Sequence, residues 1–182
     1  MFVPLTPIRC LHRAADLFGH KIGVVCGNLQ FTYREFAERC ERLATALAAD
    51  GIRPGDRVAY LSFNTHKLLE GYFGVVQARA IVMPLNVRLS PVELTHILNH
   101  SGARTLLFES DFAPLVEKLR AACPSIGRYV ALDGEPSSAG LTYDELLAKG
   151  HPERADVFDI DEASIAELFY TSGSTGTPKG VG

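Results

Sequence analysis

The sequence runs to 182 residues, 47% hydrophobic and 21% charged, which is ordinary globular usage and suits one domain or a large piece of one. Eighteen basic against twenty-one acidic residues leave a net charge of -3, and without a bulk basic field there is no case for a nucleic-acid partner. No apolar run approaches the roughly 18–20 residues that span a bilayer, the start Met1-Phe2-Val3-Pro4 lacks the features of a signal peptide, and Cys10, Cys26, Cys40 and Cys123 are scattered without a C-x-x-C pair, so the expectation is a cytoplasmic protein with reduced thiols.

Thr6 and Pro7 open a helical stretch that continues to about Phe18. Ile22 to Cys26 and Leu29 to Thr32 flank Gly27-Asn28, and two such residues between apolar runs predict a β-hairpin. Thr32-Tyr33-Arg34-Glu35 is a capping box, because Glu35 falls three residues after the capping hydroxyl. Phe36, Cys40, Leu43 and Leu47 then share one helical face, and Gly51 ends the helix. Arg53-Pro54-Gly55-Asp56 turns the chain into a strand from Arg57 to Leu61.

A helix from about Thr65 to Ala78 leads to a strand from Ile81 to Leu85. Ser90-Pro91-Val92-Glu93 is a second capping box with proline at the first helical position, and Gly102 closes that helix. Arg104 to Phe108 reads as a strand, Asp111 to Ala122 as a helix and Arg128 to Leu132 as a strand; Asp133 to Gly140 is a polar loop. Thr142-Tyr143-Asp144-Glu145 caps a short helix, and residues 150 to 163 form a connecting loop. A last strand is expected from Ser164 to Tyr170. Strands alternating with helices predict an α/β fold, a mainly parallel sheet flanked by helices, with the early hairpin as a local exception. Sheets of this kind bind ligands outside the carboxyl ends of their strands, where the loop after Tyr170 is expected.

That loop reads Tyr170-Thr171-Ser172-Gly173-Ser174-Thr175-Gly176-Thr177-Pro178-Lys179-Gly180-Val181. Its glycines allow close backbone approach, so successive N–H groups can point at an anion. The hydroxyls of Thr171, Ser172, Ser174, Thr175 and Thr177 add short donors, and Lys179 adds a point charge suited to a polyphosphate. Together these residues predict a phosphate cradle. The spacing is not that of a Walker A loop, since the residue five after Gly173 is Pro178. Nor is it a hydrolase elbow, because serine stands at 172 where glycine would be needed. A flexible linker of the same composition would need neither the preceding apolar run nor Pro178-Lys179-Gly180.

The stretch resembles the phosphate-binding signature of the adenylate-forming (AMP-binding) enzymes, which include acyl-CoA synthetases, aryl-CoA ligases and peptide-synthetase adenylation domains. It matches the form Tyr/Phe-Thr-Ser-Gly-Ser/Thr-Thr-Gly-x-Pro-Lys-Gly-Val at every defined position. Phe31-Thr32-Tyr33-Arg34-Glu35-Phe36, Gly55-Asp56-Arg57-Val58-Ala59 and Val75 to Asn86 resemble further family segments in the same order, so the likeness covers nearly the whole chain. Arg79 departs from it, standing where the family usually has glycine; the turn there must accept a side chain or a different backbone angle.

The resemblance implies the N-terminal portion of the family's large domain, residues 1–182, with the adenine and acyl pockets, the Mg2+-associated glutamate and the mobile C-terminal domain all further along. It implies activation of a carboxylic acid by ATP and Mg2+ to an acyl-adenylate, then transfer to the thiol of CoA. Thr171, Ser172, Gly173, Ser174, Thr175, Gly176 and Thr177 would hold the ATP phosphates. Lys179 would contribute charge or anchor the loop by a salt bridge. No residue of the chain suggests itself as a catalytic nucleophile or base. Pro84-Leu85-Asn86-Val87-Arg88-Leu89 is similar to acyl-CoA synthetases more than to peptide-synthetase domains, which favours a fatty or related small acid over other adenylate-forming activities such as aryl-CoA ligation. A rival reading is a non-catalytic module acting through a partner. A chain ending at Gly182 is expected to leave the loop's far side unanchored and an open sheet edge, which would favour a homo-oligomer. His96 and His100 stand four apart on one helix, a metal-compatible spacing, but no third ligand is evident and no metal site is assigned.

Overall fold

The computed structural model describes residues 4–134, 140–172 and 178–182. Six helices are found among them: α1 (Pro7–Phe18), α2 (Tyr33–Ala49), α3 (His66–Gln77), α4 (Pro91–Ser101), α5 (Ala113–Ala122) and α6 (Tyr143–Lys149). The strands are β1 (Ile22–Cys26), β2 (Leu29–Thr32), β3 (Arg57–Leu61), β4 (Ile81–Pro84), β5 (Thr105–Phe108), β6 (Arg128–Ala131), β7 (Leu141–Thr142), β8 (Phe169–Ser172) and β9 (Pro178–Val181). A wholly parallel sheet of order β4-β3-β5-β6-β7 forms the centre. β1 and β2 form the expected antiparallel hairpin, with Cys26 opposite Leu29 and Gly27 at φ 58°.

Both faces of the sheet are buried, which is why its strands read as continuous apolar runs. On one face Val58, Tyr60, Val82, Leu107 and Val130 pack against α2, α3 and α6, with Ile8 of α1 reaching the same core. On the other face Ala59, Leu61, Met83, Leu106 and Ala131 pack against α4 and α5.

The three segments read as capping boxes all form them in full. The hydroxyls of Thr32, Ser90 and Thr142 accept from the backbone N–H of Glu35, Glu93 and Glu145, and each carboxylate accepts from the capping residue's own N–H at 2.8 Å. Within the first core the Glu70 carboxylate is fully buried. It accepts from Arg39 Nε at 2.6 Å and from the Tyr143 hydroxyl at 2.6 Å, joining α2, α3 and α6. Burial of an ion this deep is tolerable only with such partners.

Three expectations need correction. The last strand begins at Phe169 rather than Ser164, and residues 162–164 make a turn. The loop's far side is anchored, because Pro178–Val181 pairs antiparallel with Phe169–Ser172. The sheet edge at β4 is not open either: Val82 N–H donates to Ala166 O at 3.1 Å, and Leu168 N–H donates to Val82 O at 2.9 Å. At the other edge Leu141–Thr142 adds a two-residue strand that the sequence pattern does not announce, and an edge so short offers little to a second chain.

Arg79 answers the question its sequence position raised. It is the sole non-glycine residue with positive φ among those described, at 57°.

Candidate functional site

Glu167 bridges Val82 in parallel, so the chain enters β8 running alongside the outer edge of β4. β8 and β9 then form a hairpin with Phe169 opposite Val181, Tyr170 opposite Gly180, Thr171 opposite Lys179 and Ser172 opposite Pro178. Antiparallel pairing sets directly opposed side chains about 5 Å apart on one face. The Thr171 hydroxyl and the Lys179 ammonium therefore start from neighbouring positions, and both residues are exposed. Of the sequence-predicted phosphate residues, Thr171, Ser172 and Lys179 are in the paired strands; Gly173, Ser174, Thr175, Gly176 and Thr177 lie outside the described residues. Among the described residues Lys179 makes no salt bridge.

The hairpin is tied to the rest of the fold through Tyr170. Tyr170 is paired with Gly180, and the hydroxyl end of its ring sits beside that residue, where an added Cβ would be 3.4 Å from Tyr170 Cζ and 3.3 Å from Leu168 Cδ1. The Tyr170 hydroxyl lies 2.7 Å from His100 Nδ1 in the last turn of α4, and the two rings meet edge to face. Burial pushes the Tyr170 hydroxyl above the ordinary tyrosine range, with the Arg57 guanidinium pulling the other way. It is thus protonated near neutrality and can give or take the proton of this hydrogen bond, the direction following the tautomer of His100. His96 stacks on His100 at 5.7 Å between ring centroids. Among the described residues no group of three or more His, Cys, Asp or Glu side chains gathers as metal ligands.

The profile of the AMP-binding enzyme family matches residues 11–182. The chain belongs to that family. A long-chain-fatty-acid–CoA ligase of Thermus thermophilus is 40% identical over 94% of the chain and 32% of its own length. A 3-methylmercaptopropionyl-CoA ligase of Ruegeria pomeroyi is 35% identical over 100% of the chain and 35% of its own length. Among solved structures, the anthranilate CoA ligase AuaEII bound to anthranoyl-AMP superposes with a TM-score of 0.92 at 25% identity, covering 100% of the chain and 35% of that protein. The chain thus spans about a third of the length of the curated relatives it matches. Among the described residues no helix is long and apolar enough to cross a membrane.

The sequence motif found the flanks of the site but not what fixes them. His100 appeared only as half of an i, i+4 histidine pair, and nothing in the linear pattern joins residue 100 to residue 170. The exposed flank at Thr171 and Lys179 was legible because both residues belong to the motif itself.

Proposed function

We propose that this chain carries the ATP phosphate-binding loop of an acyl-CoA ligase that activates a carboxylic acid in two steps. The acid's carboxylate attacks the α-phosphorus of MgATP, forming an acyl-adenylate and releasing pyrophosphate. The thiol of CoA then attacks the acyl carbon, and AMP departs. Residues 1–182 are read as the first part of the large AMP-binding domain, and the protein as cytoplasmic. The observation that carries the reading is the juxtaposition of exposed Thr171 and Lys179 on the paired strands β8 and β9, which flank the motif residues Gly173 to Thr177 in sequence.

In this reading Thr171, Ser172, Ser174, Thr175 and Thr177 donate hydroxyls to the β- and γ-phosphates, and the backbone about Gly173 and Gly176 adds N–H donors. Lys179 acts as charge on the departing pyrophosphate rather than as a structural anchor, which its exposure and lack of a carboxylate partner among the described residues support. Charge builds on those oxygens as the α-phosphorus bond breaks, so donors fixed in advance lower the barrier. Mg2+ enters with ATP as the substrate complex. A fatty or related small acid is the favoured substrate, on the acyl-CoA-synthetase character of Pro84 to Leu89 and on the aliphatic acids in the names of both curated relatives.

The test is acid-dependent exchange of labelled pyrophosphate into ATP by the native gene product, across aliphatic and aromatic carboxylic acids. Exchange with an aliphatic acid supports the reading; exchange with aromatic acids alone replaces the acid class. No exchange with any acid, while MgATP binds, would overturn the ligase assignment. The 182 residues by themselves are expected to show no micromolar ATP binding in calorimetry, because the relatives are about three times as long.

A further inference from the structure

We infer that His100 is a positioning residue for the phosphate-binding hairpin, acting through Tyr170 to hold β8 and β9 against α4. The inference rests on the functional reading above. Tyr170 is one step from Thr171 along β8, and its cross-strand partner Gly180 is one step from Lys179 along β9. The end of its ring sits beside Gly180 while its hydroxyl meets His100 at 2.7 Å, so this one residue of β8 touches its partner on β9 and a helix.

The helix that presents His100 is itself fixed. Leu94, Ile97 and Leu98 are fully buried beneath it. Its start is closed by the Ser90–Glu93 capping box. At its end the Arg57 guanidinium donates from Nε to Ser101 O and from Nη2 to Gly102 O, at 2.5 Å and 2.7 Å. Asn99 Nδ2 donates to Ala122 O at 2.9 Å, joining α4 to the end of α5. A helix anchored at both ends and along its buried face is a rigid reference, and the His100–Tyr170 hydrogen bond transfers that reference to the hairpin. Anchoring groups of this kind matter because a phosphate site loses transition-state stabilisation when its donors shift by about an ångström.

The bond is made at Nδ1, which gives a test that a merely space-filling histidine would fail. The amide of asparagine reaches the position of Nδ1, whereas that of glutamine reaches the position of Nε2. His100→Ala, His100→Asn, His100→Gln and Tyr170→Phe are compared in the native gene product. Amide hydrogen exchange at residues 169–172 and 179–181 should speed up about tenfold in His100→Ala, His100→Gln and Tyr170→Phe, and return towards wild type in His100→Asn. The double variant His100→Ala with Tyr170→Phe should be no worse than either single one. In parallel the KM for MgATP should rise about fivefold in His100→Ala, with the KM for the acid unchanged.

Unmoved amides in His100→Ala, or glutamine rescuing as well as asparagine, would overturn the positioning role while leaving the ligase reading intact. Wild-type protein with no exchange activity, in which His100→Ala still loosens the amides, would overturn the ligase reading and leave the hairpin anchor in place. Loosened amides with an unchanged KM for MgATP would confine His100 to the fold and overturn the inference.

Discussion

Arg79 closes α3 with the same pair of backbone hydrogen bonds with which Gly51 closes α2. In α2, Gly51 N–H donates to Ala48 O and Ile52 N–H to Leu47 O; in α3, Arg79 N–H donates to Val76 O and Ala80 N–H to Val75 O. Gly102 ends α4 in the same way, donating to Asn99 O ahead of the Ala103–Leu98 bond. All three residues have positive φ, at 92°, 57° and 62°. This motif sets one residue in the left-handed region, where a Cβ costs roughly 1–2 kcal/mol.

Arg79→Gly should therefore stabilise the protein. Relief of the left-handed strain is offset in part by the greater freedom glycine gives the unfolded chain, about 0.4–1 kcal/mol. The exposed pair of Arg79 with Asp159, at 3.1 Å, is also lost, and surface pairs of this kind contribute little. The net expectation is a gain of about 0.5 kcal/mol in urea unfolding, with Gly51→Ala losing about 1 kcal/mol. A loss of stability in Arg79→Gly would mean that the Asp159 pair outweighs the backbone strain.

Glu70 ties three helices at once, and its replacement should be severe. Glu70→Ala leaves the Tyr143 hydroxyl without its acceptor and Arg39, only partly exposed, without its carboxylate. Removing one partner of such a pair costs on the order of 3 kcal/mol or more. Tyr143→Phe, which takes away a single hydrogen bond to the charge, should cost about 1.5–3 kcal/mol. Denaturant midpoints for the two variants test the order, and a Glu70→Ala change milder than Tyr143→Phe would refute it.

The same cluster predicts alkaline sensitivity. Burial, and then the Glu70 charge, push the hydroxyls of Tyr143 and Tyr60 well above the ordinary tyrosine value. An unfolded tyrosine ionises near pH 10. Between that pH and the higher folded value the unfolded chain binds fewer protons, so stability is full below about pH 10 and falls as pH rises. The slope is about 1.4 kcal/mol per pH unit for each such tyrosine. Unfolding curves from pH 8 to 11 should show Tyr143→Phe with the shallower decline; parallel declines would exclude Tyr143 as a contributor.

Most of the fold was legible because its determinants are local. Capping boxes at Thr32, Ser90 and Thr142, the Gly27-Asn28 turn and the helix-ending Gly51 and Gly102 each act within a few residues, and the structure returns every one. The last strand was misplaced because Ile165, Ala166 and Leu168 read as an apolar strand, while the chain there makes only two hydrogen bonds to Val82 before pairing with residues 178–181. Long-range pairing decided that boundary. The Glu70–Arg39–Tyr143 cluster was invisible for the same reason, since its members are 31 and 73 residues apart in sequence.

The acid limb should depend on the capping boxes. Backbone and hydroxyl donors of Thr32, Ser90 and Thr142 hold the carboxyls of Glu35, Glu93 and Glu145 below the ordinary glutamate value. A depressed folded value gives stability that is present above the unfolded glutamate range and lost as pH falls through the folded value. A triple variant, Glu35→Gln, Glu93→Gln and Glu145→Gln, should therefore unfold with a flatter dependence below about pH 4.5. An identical acid limb in the triple variant would show that other carboxylates set it.

Lys179 separates function from stability most cleanly. It is exposed on β9, opposite Thr171, and pairs with no carboxylate among the described residues. Lys179→Ala should leave unfolding within about 0.5 kcal/mol of wild type, as surface changes away from packed features do. A hydrogen bond from a charged donor contributes about 1.5–3 kcal/mol, so affinity for MgATP in the native gene product should fall roughly ten- to a hundredfold. Lys179→Arg keeps the charge but trades a point donor for a planar fork, and should recover affinity only in part. If Lys179→Ala instead unfolded the protein while its folded fraction bound MgATP normally, the lysine would be a structural anchor. The alternative the sequence left open would then be the right one.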